Sequence, residues 1–380
     1  MKRRDYLRAA GAAAAAGLAG CGATGGTGST GSSSSSGTTS ATSANGTSTG
    51  STSGSRTLTV ATYSSYVGDT GSPGAWLKSA FEDAHDGVTV EWKTPTSGSA
   101  NVTEYIQRAR HGASIDADVY VGLNTDELVL VDQKLSEPLF ATLKGDLSHA
   151  GDVKEGLTVD PKGRAYPYDT GYVNPVADAT VLKTLPTSFD DLLDQRYHGD
   201  LIAENAQNSD TGKAFLLWTV HEKGASGYLD YWKRLLDNGV KILSDWQPAY
   251  DAYTQGEAPI VVSYSTDQVY AANKNENLKK YTIDFLNHEA YANPESAAVF
   301  ASSDRRDLAT AFVDFMLSPT AQKHIPQLNY EFPSTTTGAL SGNFATYAKQ
   351  PRKPVTFTYD QLAGNVTEWV DSWARLVAQH

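Results

Sequence analysis

Residues 164–177, RAYPYDTGYVNPVA, carry the pattern from which the architecture of this chain can be worked out. The stretch is aromatic and extended in character. Pro167 and Pro175 interrupt it, and the interior of a helix does not tolerate proline. Alternating strand and helix patterns lie on both sides of it. We therefore predict that residues 164–177 cross between two α/β lobes.

The sequence before this crossover alternates between strand-like and helix-like segments. Residues 57–61, 88–92 and 118–123 are rich in β-branched and apolar side chains, as strands are. Between these strands, one helical pattern begins at Pro73 and a second covers residues 101–111. This alternation predicts a parallel sheet with helices on both faces. In such sheets the loops at the carboxyl ends of the strands line the ligand crevice.

A second set of strands and helices follows the crossover, and the chain then returns to the first lobe. Two helices are predicted after residue 300, at 307–317 and 319–325, and an amphipathic closing helix at 359–377. The predicted division is 57–170 plus 293–380 for lobe 1 and 171–292 for lobe 2.

The amino terminus has the features of an export signal. Arg3 and Arg4 precede an apolar run from Ala9 to Cys21 that is too short to span a bilayer, as in twin-arginine signals. Residues 18–21, LAGC, resemble the lipobox at which a lipoprotein is cleaved and acylated. We therefore expect a signal at 1–20 and a lipid anchor at Cys21, although Cys21 could also be an incidental small residue. Residues 21–56 are rich in Gly, Ser and Thr and are predicted to be a flexible tether.

Composition narrows the class of function. The net charge of −12 disfavours nucleic acid and suits a cationic ligand. The single cysteine excludes an intramolecular disulfide, and no later segment has the roughly eighteen apolar residues of a membrane span. The Walker loop, the Gly-x-Ser-x-Gly elbow and the His-Glu-x-x-His motif are all missing from the sequence, and its eight histidines are scattered. We therefore expect a protein that is not an enzyme and has neither a cofactor nor a metal.

Aromatic side chains recur where predicted strands end or predicted helices begin. They are Tyr63, Trp246, Tyr264 and Tyr330. Each could equally be part of a core, since aromatic residues are used heavily in cores. Together, beside capping polar groups, they favour the stacking of a flat, cationic, heteroaromatic ligand.

Several short segments, in this order along the chain, carry a family resemblance. They are 62–63 (TY), 117–119 (ADV), 168–172 (YDTGY), 215–218 (FLLW), 246–250 (WQPAY), 262–266 (VSYST) and 315–319 (FMLSP). Through them, residues 57–379 resemble the thiamine-binding proteins of ABC importers. This family has the type II periplasmic binding fold, which ferric-ion and polyamine binders share.

The resemblance implies a two-lobed α/β fold with crossover hinge strands. It also implies a monomeric lipoprotein on the outer face of the cell membrane. This protein would capture thiamine or a thiamine phosphate and deliver it to an ABC transporter permease, without making or breaking a bond.

The resemblance also implies which residues contact the ligand. Those expected to form an aromatic enclosure are Tyr63, Trp246, Tyr264 and Tyr330. Ser209, with neighbouring backbone amides, is expected to meet the hydroxyethyl or phosphate end. Asn124 stands where the family commonly has an acid. Asn124 can still hydrogen-bond an aminopyrimidine, and either Asp126 or Asp169 would then supply the negative charge.

Three alternatives stay open at this point. A ferric-ion binder of the same fold would use adjacent tyrosines, whereas Ser265 follows Tyr264 here. A polyamine binder would share the fold and the acidic character. A secreted hydrolase would need a Ser or Asp site that the motifs do not reveal.

Overall fold

The computed structural model describes residues 56–68, 70–94 and 102–380. The predicted signal at 1–20, the predicted anchor Cys21 and all but the last residue of the predicted tether at 21–56 lie outside the described residues.

Within the described ranges, eleven strands form one sheet. Their bounds are β1 Arg56–Ala61, β2 Val88–Lys93, β3 Val119–Leu123, β4 Ala165–Ala177, β5 Leu201–Glu204, β6 Lys241–Leu243, β7 Ile260–Tyr264, β8 Thr282–Ile283, β9 Glu289–Val299, β10 Phe332–Pro333 and β11 Lys353–Val355.

Helices cover the sheet, and several begin at a serine that caps them, as for Ser72 and Ser318, whose Oγ atoms accept backbone N–H groups. Across the described ranges, no helix is both long and apolar enough to cross a membrane. The helix bounds are α1 Pro73–Ala84, α2 Val102–Arg110, α3 Thr125–Lys134, α4 Asp210–Lys223, α5 Tyr228–Asp237, α6 Trp246–Thr254, α7 Asp267–Asn273, α8 Arg306–Leu317, α9 Pro319–Asn329, α10 Gly342–Tyr347, α11 Tyr359–Leu362 and α12 Val366–Gln379.

The sheet is mixed, and the parallel pairing predicted for the strands before the crossover is confirmed. The strand order is β2-β1-β3-β9-β4-β7-β5-β6. β1 pairs in parallel with β2 and β3, and β5 pairs in parallel with β6 and β7. Between these two parallel groups, β4 runs antiparallel to both β9 and β7. The sheet is mixed because β4 and β9 cross between the groups in opposite directions.

The predicted crossover at 164–177 is confirmed as the strand β4. Ala165 pairs with Ala298, and the pairing with β9 continues to Val173, which lies opposite Tyr291. The register shifts between Pro167 and Asp169. Beyond this bulge, Asp169 lies opposite Glu295, and this pairing positions the site described below.

The two largest apolar clusters of the described residues each include residues of the crossing strands β4 and β9. One includes Leu58, Phe81 and Phe312, contributed by β1, α1 and α8. The other includes Phe215, Trp218 and Trp232 from α4 and α5.

The carboxyl-terminal helix differs from the prediction. It is divided into α11 and α12 near Gly364, whose φ of 82° is left-handed. α11 packs on α3, where Tyr359 Oη donates to Asp132 Oδ2 at 2.5 Å. α12 instead packs on α5, with the rings of Trp373 and Trp232 centred 5.4 Å apart. α11 and α12 therefore pack on different helices, and the division into lobes stays a prediction.

Candidate functional site

Three buried carboxylates meet at the centre of the crossing strands. Asp169, Glu295 and Glu331 each offer a carboxylate oxygen, and these oxygens lie within 4.8 Å of one another. Their exposed fractions are 0%, 5% and 2%. We call these three residues the acid cluster.

Strand register brings the acid cluster together. β9 places Glu295 directly opposite Asp169. β10 pairs with β4 in antiparallel register, Phe332 opposite Thr170, so the preceding Glu331 reaches Gly171. A Cβ atom at Gly171 would lie 3.3 Å from Glu331 Oε1.

Buried hydrogen bonds hold the acid cluster to the loop after β1. Tyr63 Oη donates to Glu295 Oε2 at 2.6 Å, and Tyr168 Oη donates to the same oxygen at 2.7 Å. The Asn329 side-chain amide lies 3.0 Å from both Asp169 Oδ2 and Tyr63 Oη. The three carboxylates and Tyr63 therefore belong to one network.

The electrostatics of this network favour a cation. Burial raises the pKa of Tyr66 well above its usual value, and the negative charges of the acid cluster raise it further. Burial likewise raises the pKa of Tyr168, with Glu295 as the next cause. Neutral phenols therefore surround carboxylates that repel one another, an arrangement that a positive ligand stabilises.

Tyr264 lies against the backbone of the hinge strand beside this cluster. A Cβ atom at Gly171 would lie only 2.6 Å from Tyr264 Cε1, so the ring occupies the space that the glycine leaves. A Cβ atom at Gly122, whose φ is 101°, would likewise lie 2.8 Å from two ring carbons of Tyr63. The rings of Tyr264 and Tyr63 therefore occupy space that is open only because Gly171 and Gly122 have no side chain.

Tyr330 adopts a left-handed conformation, with φ 60°, at the end of α9. Its carbonyl oxygen accepts a hydrogen bond from Thr266 Oγ1 at 2.7 Å. Its ring meets that of Tyr270 edge-on, with centroids 5.9 Å apart. Because Asn329 and Glu331 flank it, Tyr330 lies beside the acid cluster network.

Trp246 begins α6 in the second parallel group of strands. Its ring stacks on Tyr250 with centroids 4.8 Å apart, and its Nε1 donates to Ser263 Oγ at 3.1 Å. Ser263 precedes Tyr264 on β7, so Trp246 is joined to the site through that strand.

Asn124 and Ser209 lie at the amino termini of α3 and α4, and both are buried. Asn124 Oδ1 has no hydrogen-bond partner among the described residues. Ser209 Oγ accepts the Gly212 N–H at 3.3 Å. Lys213 Nζ donates to Asp126 Oδ2 at 2.6 Å and thereby ties α4 to α3. The two helix amino termini are therefore held together.

The two candidate charge partners that the sequence left open, Asp126 and Asp169, have different surroundings. Burial disfavours the charge of Lys213, but Asp126 and neighbouring carboxylates outweigh it and raise the pKa of this lysine. Asp126 is therefore compensated by a cation. Asp169 lies in the acid cluster, beside Glu295 and Glu331.

Sequence analysis missed three members of this site. Glu331 adjoins the predicted Tyr330, so its position in that loop was a signal that could have been used. Asn329 adjoins Tyr330 on the other side and carried the same signal. Glu295 carried no local signal, because only strand register brings it to Asp169.

A cavity of about 420 Å³ lies nearby, between α6 and α7. Tyr250, which stacks on Trp246, and Tyr270, which meets Tyr330, line it. None of the seven predicted ligand residues lines this cavity. It therefore lies behind two of the aromatic residues rather than at the acid cluster.

A model of the bacterial extracellular solute-binding proteins matches residues 129–359. The chain belongs to this family. The family consists of solute-binding proteins rather than enzymes, and its members act outside the cytoplasm.

Individual relatives of this chain are also named as solute-binding proteins. It is 30% identical over 268 residues to the thiamine-binding periplasmic protein of Salmonella typhimurium, a match that covers 70% of this chain and 79% of the relative. It is 28% identical over 312 residues to the protein of the same name from Brucella abortus, covering 79% and 86%.

Solved structures confirm the predicted fold class. A periplasmic thiamin binding protein superimposes with a TM-score of 0.72 at 26% identity, covering 84% of this chain and 96% of the other. The ferric binding protein from Campylobacter jejuni, at 19% identity and a TM-score of 0.64, shares the fold and covers 84% and 99%. This solute-binding protein thus has the two-lobed α/β fold of type II periplasmic binding proteins.

Proposed function

We propose that this protein captures thiamine or a thiamine phosphate outside the cytoplasm and delivers it to the permease of an ABC importer. The observation that carries the proposal is the buried acid cluster of Asp169, Glu295 and Glu331, flanked by the rings of Tyr63 and Tyr264. Thiamine joins a flat aminopyrimidine to a thiazolium cation. Aromatic faces and buried carboxylates are the groups that such a ligand requires.

In this proposal each end of the ligand meets a different part of the site. The thiazolium lies near Asp169, and the enclosure is formed by Tyr63, Trp246, Tyr264 and Tyr330. Asn124 Oδ1 accepts a hydrogen bond from the exocyclic amine of the pyrimidine. The hydroxyethyl or phosphate end meets Ser209 at the amino terminus of α4, where unpaired backbone N–H groups favour an anion.

Ligand binding closes the two lobes about β4 and β9 in this proposal. Both strands connect the two parallel groups of the sheet, and both contribute a carboxylate to the acid cluster. A cation between these carboxylates is bound more tightly when the lobes are closed, so it shifts the population toward the closed form. The permease then recognises that form, and no covalent step is involved.

One observation favours an alternative function, the binding of a ferric ion. The carboxylate oxygens of the acid cluster lie within 4.8 Å of one another, and hard cations prefer oxygen ligands. A polyamine would also suit carboxylates, but it has no flat ring to stack between the aromatic faces and would meet them only through its ammonium groups.

Ligand released from the purified, denatured protein, identified by mass spectrometry, tests the proposal directly. We expect thiamine or a thiamine phosphate, and calorimetric titration of the emptied protein should show one thiamine site per chain. Recovery of iron, a polyamine or a sugar would overturn the proposal, as would turnover of a substrate.

Replacing Tyr264 provides a residue-level test. Tyr264→Ala removes a stacking ring worth ~1–2 kcal/mol against a desolvated cation, so the Kd for thiamine should rise roughly tenfold. Tyr264→Phe keeps the ring and is the matched control. An equal Kd in all three proteins would show that Tyr264 only fills space beside Gly171.

We also propose that Cys21 carries a lipid and that the protein is a monomer held to the membrane through it. Cys21→Ser removes the acylated thiol, so the protein should move from the membrane fraction to the medium, which fractionation and immunoblotting measure. Ser34→Ala in the tether is the control and should stay with the membrane. A Cys21→Ser protein that also stays with the membrane would contradict the anchor.

A further inference from the structure

A second group of potential ligand atoms lies at the start of β9. His221 and Glu222 belong to the last turn of α4, and Glu289 is the first residue of β9. One ring nitrogen of His221 and one carboxylate oxygen from each glutamate lie within 4.8 Å of one another. Glu295 of the acid cluster lies on the same strand, about 20 Å further along at the usual rise per residue. The two groups are therefore separate.

Glu289 brings a buried carboxylate to this group. The residue is 8% exposed, and its Oε2 has no hydrogen-bond partner among the described residues. Its Oε1 lies 3.4 Å from Lys353 Nζ, on a side chain that is 75% exposed. A solvated lysine at this distance compensates a buried carboxylate weakly. Burial of the Glu289 carboxylate therefore costs desolvation free energy, and a closer cation would offset this cost.

Glu222 is held against Glu289 from the other side. Its Oε2 accepts the Asn287 side-chain N–H at 2.7 Å. Two carboxyl groups are therefore kept close together although they repel each other.

We propose that His221, Glu222 and Glu289 bind a divalent first-row transition metal ion, with Zn²⁺ as the best fit. One imidazole and two carboxylates form a donor set that suits zinc, whereas calcium and magnesium prefer oxygen donors alone. With metal–ligand distances of about 2.1 Å, two donors on one ion are at most about 4.2 Å apart. Since His221 is exposed, its side chain can make the small movement that closes the remaining gap. Water completes the coordination.

A metal ion at this place joins α4 to β9. α4 carries Ser209 at its other end, and β9 is one of the two strands that cross between the lobes. The ion would therefore fix a helix of the ligand site to a hinge strand. A ligand that binds only the folded protein also stabilises it by mass action.

Calorimetric titration of the full chain, made without a histidine tag and stripped with EDTA, tests the site. We expect one Zn²⁺ per chain, weaker binding of Mn²⁺ and no comparable binding of Ca²⁺. Glu289→Gln and His221→Gln should each weaken Zn²⁺ binding at least tenfold. His198→Gln, an exposed histidine of the same part of the chain, should bind as the unaltered protein does.

Thermal unfolding separates loss of the site from loss of the fold. Without metal, Glu289→Gln should melt at or above the temperature of the unaltered protein, because the substitution relieves carboxylate repulsion. Added Zn²⁺ should raise the melting temperature of the unaltered protein and of His198→Gln, but not that of Glu289→Gln. If Glu289→Gln does not fold, the site is tested instead by comparing Zn²⁺ binding of His221→Gln, at an exposed position, with that of the unaltered protein. Absence of Zn²⁺ binding, or equal binding by the unaltered protein and His221→Gln, would overturn the proposal.

Discussion

Asp169→Asn is expected to weaken thiamine binding about a hundredfold while leaving the empty protein as stable as before, or more so. Breaking a buried charge pair costs about 3 kcal/mol or more, because the cation is left without compensation. In the empty protein, however, the same change removes one of three carboxylates that lie within 4.8 Å of one another. Asparagine has the same shape and can still accept the Asn329 N–H at Oδ1. Calorimetry with thiamine and thermal unfolding without it measure the two effects.

Two controls separate the charge of Asp169 from a structural role in the hinge. A neutral analogue, with carbon in place of the thiazolium nitrogen, should bind Asp169→Asn and the unaltered protein equally. Asp83→Asn makes the same charge change on the exposed face of α1 and should leave thiamine binding unchanged. Equal losses of affinity for thiamine and the neutral analogue, together with a lower melting temperature, would mean that Asp169 shapes the hinge and is not the charge partner.

Gly171→Ala is expected to reduce thiamine affinity by more than tenfold and to destabilise the protein by about 1–3 kcal/mol. The new Cβ would lie 2.6 Å from Tyr264 Cε1, and no side chain tolerates so close a contact. Adding a methyl group to a packed site costs about this much free energy, because neighbours must move. Here the neighbours are the Tyr264 ring and Glu331, so one methyl group displaces both an aromatic face and a carboxylate. Chemical denaturation and calorimetry measure the two losses.

Gly151→Ala is the matched control for this prediction. Gly151 has no heavy atom within 4 Å of the position that a Cβ would occupy, so alanine fits there without strain. We expect its affinity and stability to equal those of the unaltered protein. Unchanged thiamine binding in Gly171→Ala would show that Tyr264 can move without consequence and that its ring is not part of the ligand enclosure.

In the proposed function, this arrangement makes ligand capture and lobe closure one event. Asp169 and Glu295 lie opposite each other on β4 and β9, the strands that cross between the lobes. Tyr63 reaches Glu295 from the first parallel group of strands, while Tyr264 ends β7 in the second. A cation held by the two carboxylates therefore meets aromatic faces from both groups.

Much of the local structure could be predicted because it depends on short-range patterns. The β-branched run before Tyr63 predicted β1, and the proline-interrupted stretch of residues 164–177 predicted the crossing strand β4. Ser209 was expected to lie at a helix amino terminus, and its Oγ does accept the Gly212 N–H of α4. Each of these outcomes follows from the conformational preferences of a few neighbouring residues.

Other features depended on partners far away in the sequence. The direction in which β4 and β9 pair determines that the sheet is mixed, and a single strand does not carry that information. The apolar stripe of α12 predicted a packed helix but not its partner, and the structure places Trp373 against Trp232. An amphipathic pattern predicts which face of a helix is buried, but it does not predict which element covers that face.

The sequence by itself determined the export signal hypothesis, the α/β class, the crossing strand and the aromatic residues at strand ends, all of which follow from composition and local periodicity. Tertiary structure alone decided that Glu295 and Glu331 join Asp169, that Lys213 compensates Asp126, and that Tyr264 fills the space left by Gly171. The physical reason is strand register. A shift of one residue turns every side chain of a strand to the opposite face, so the meeting of three carboxylates depends on how β4 pairs with β9 and β10.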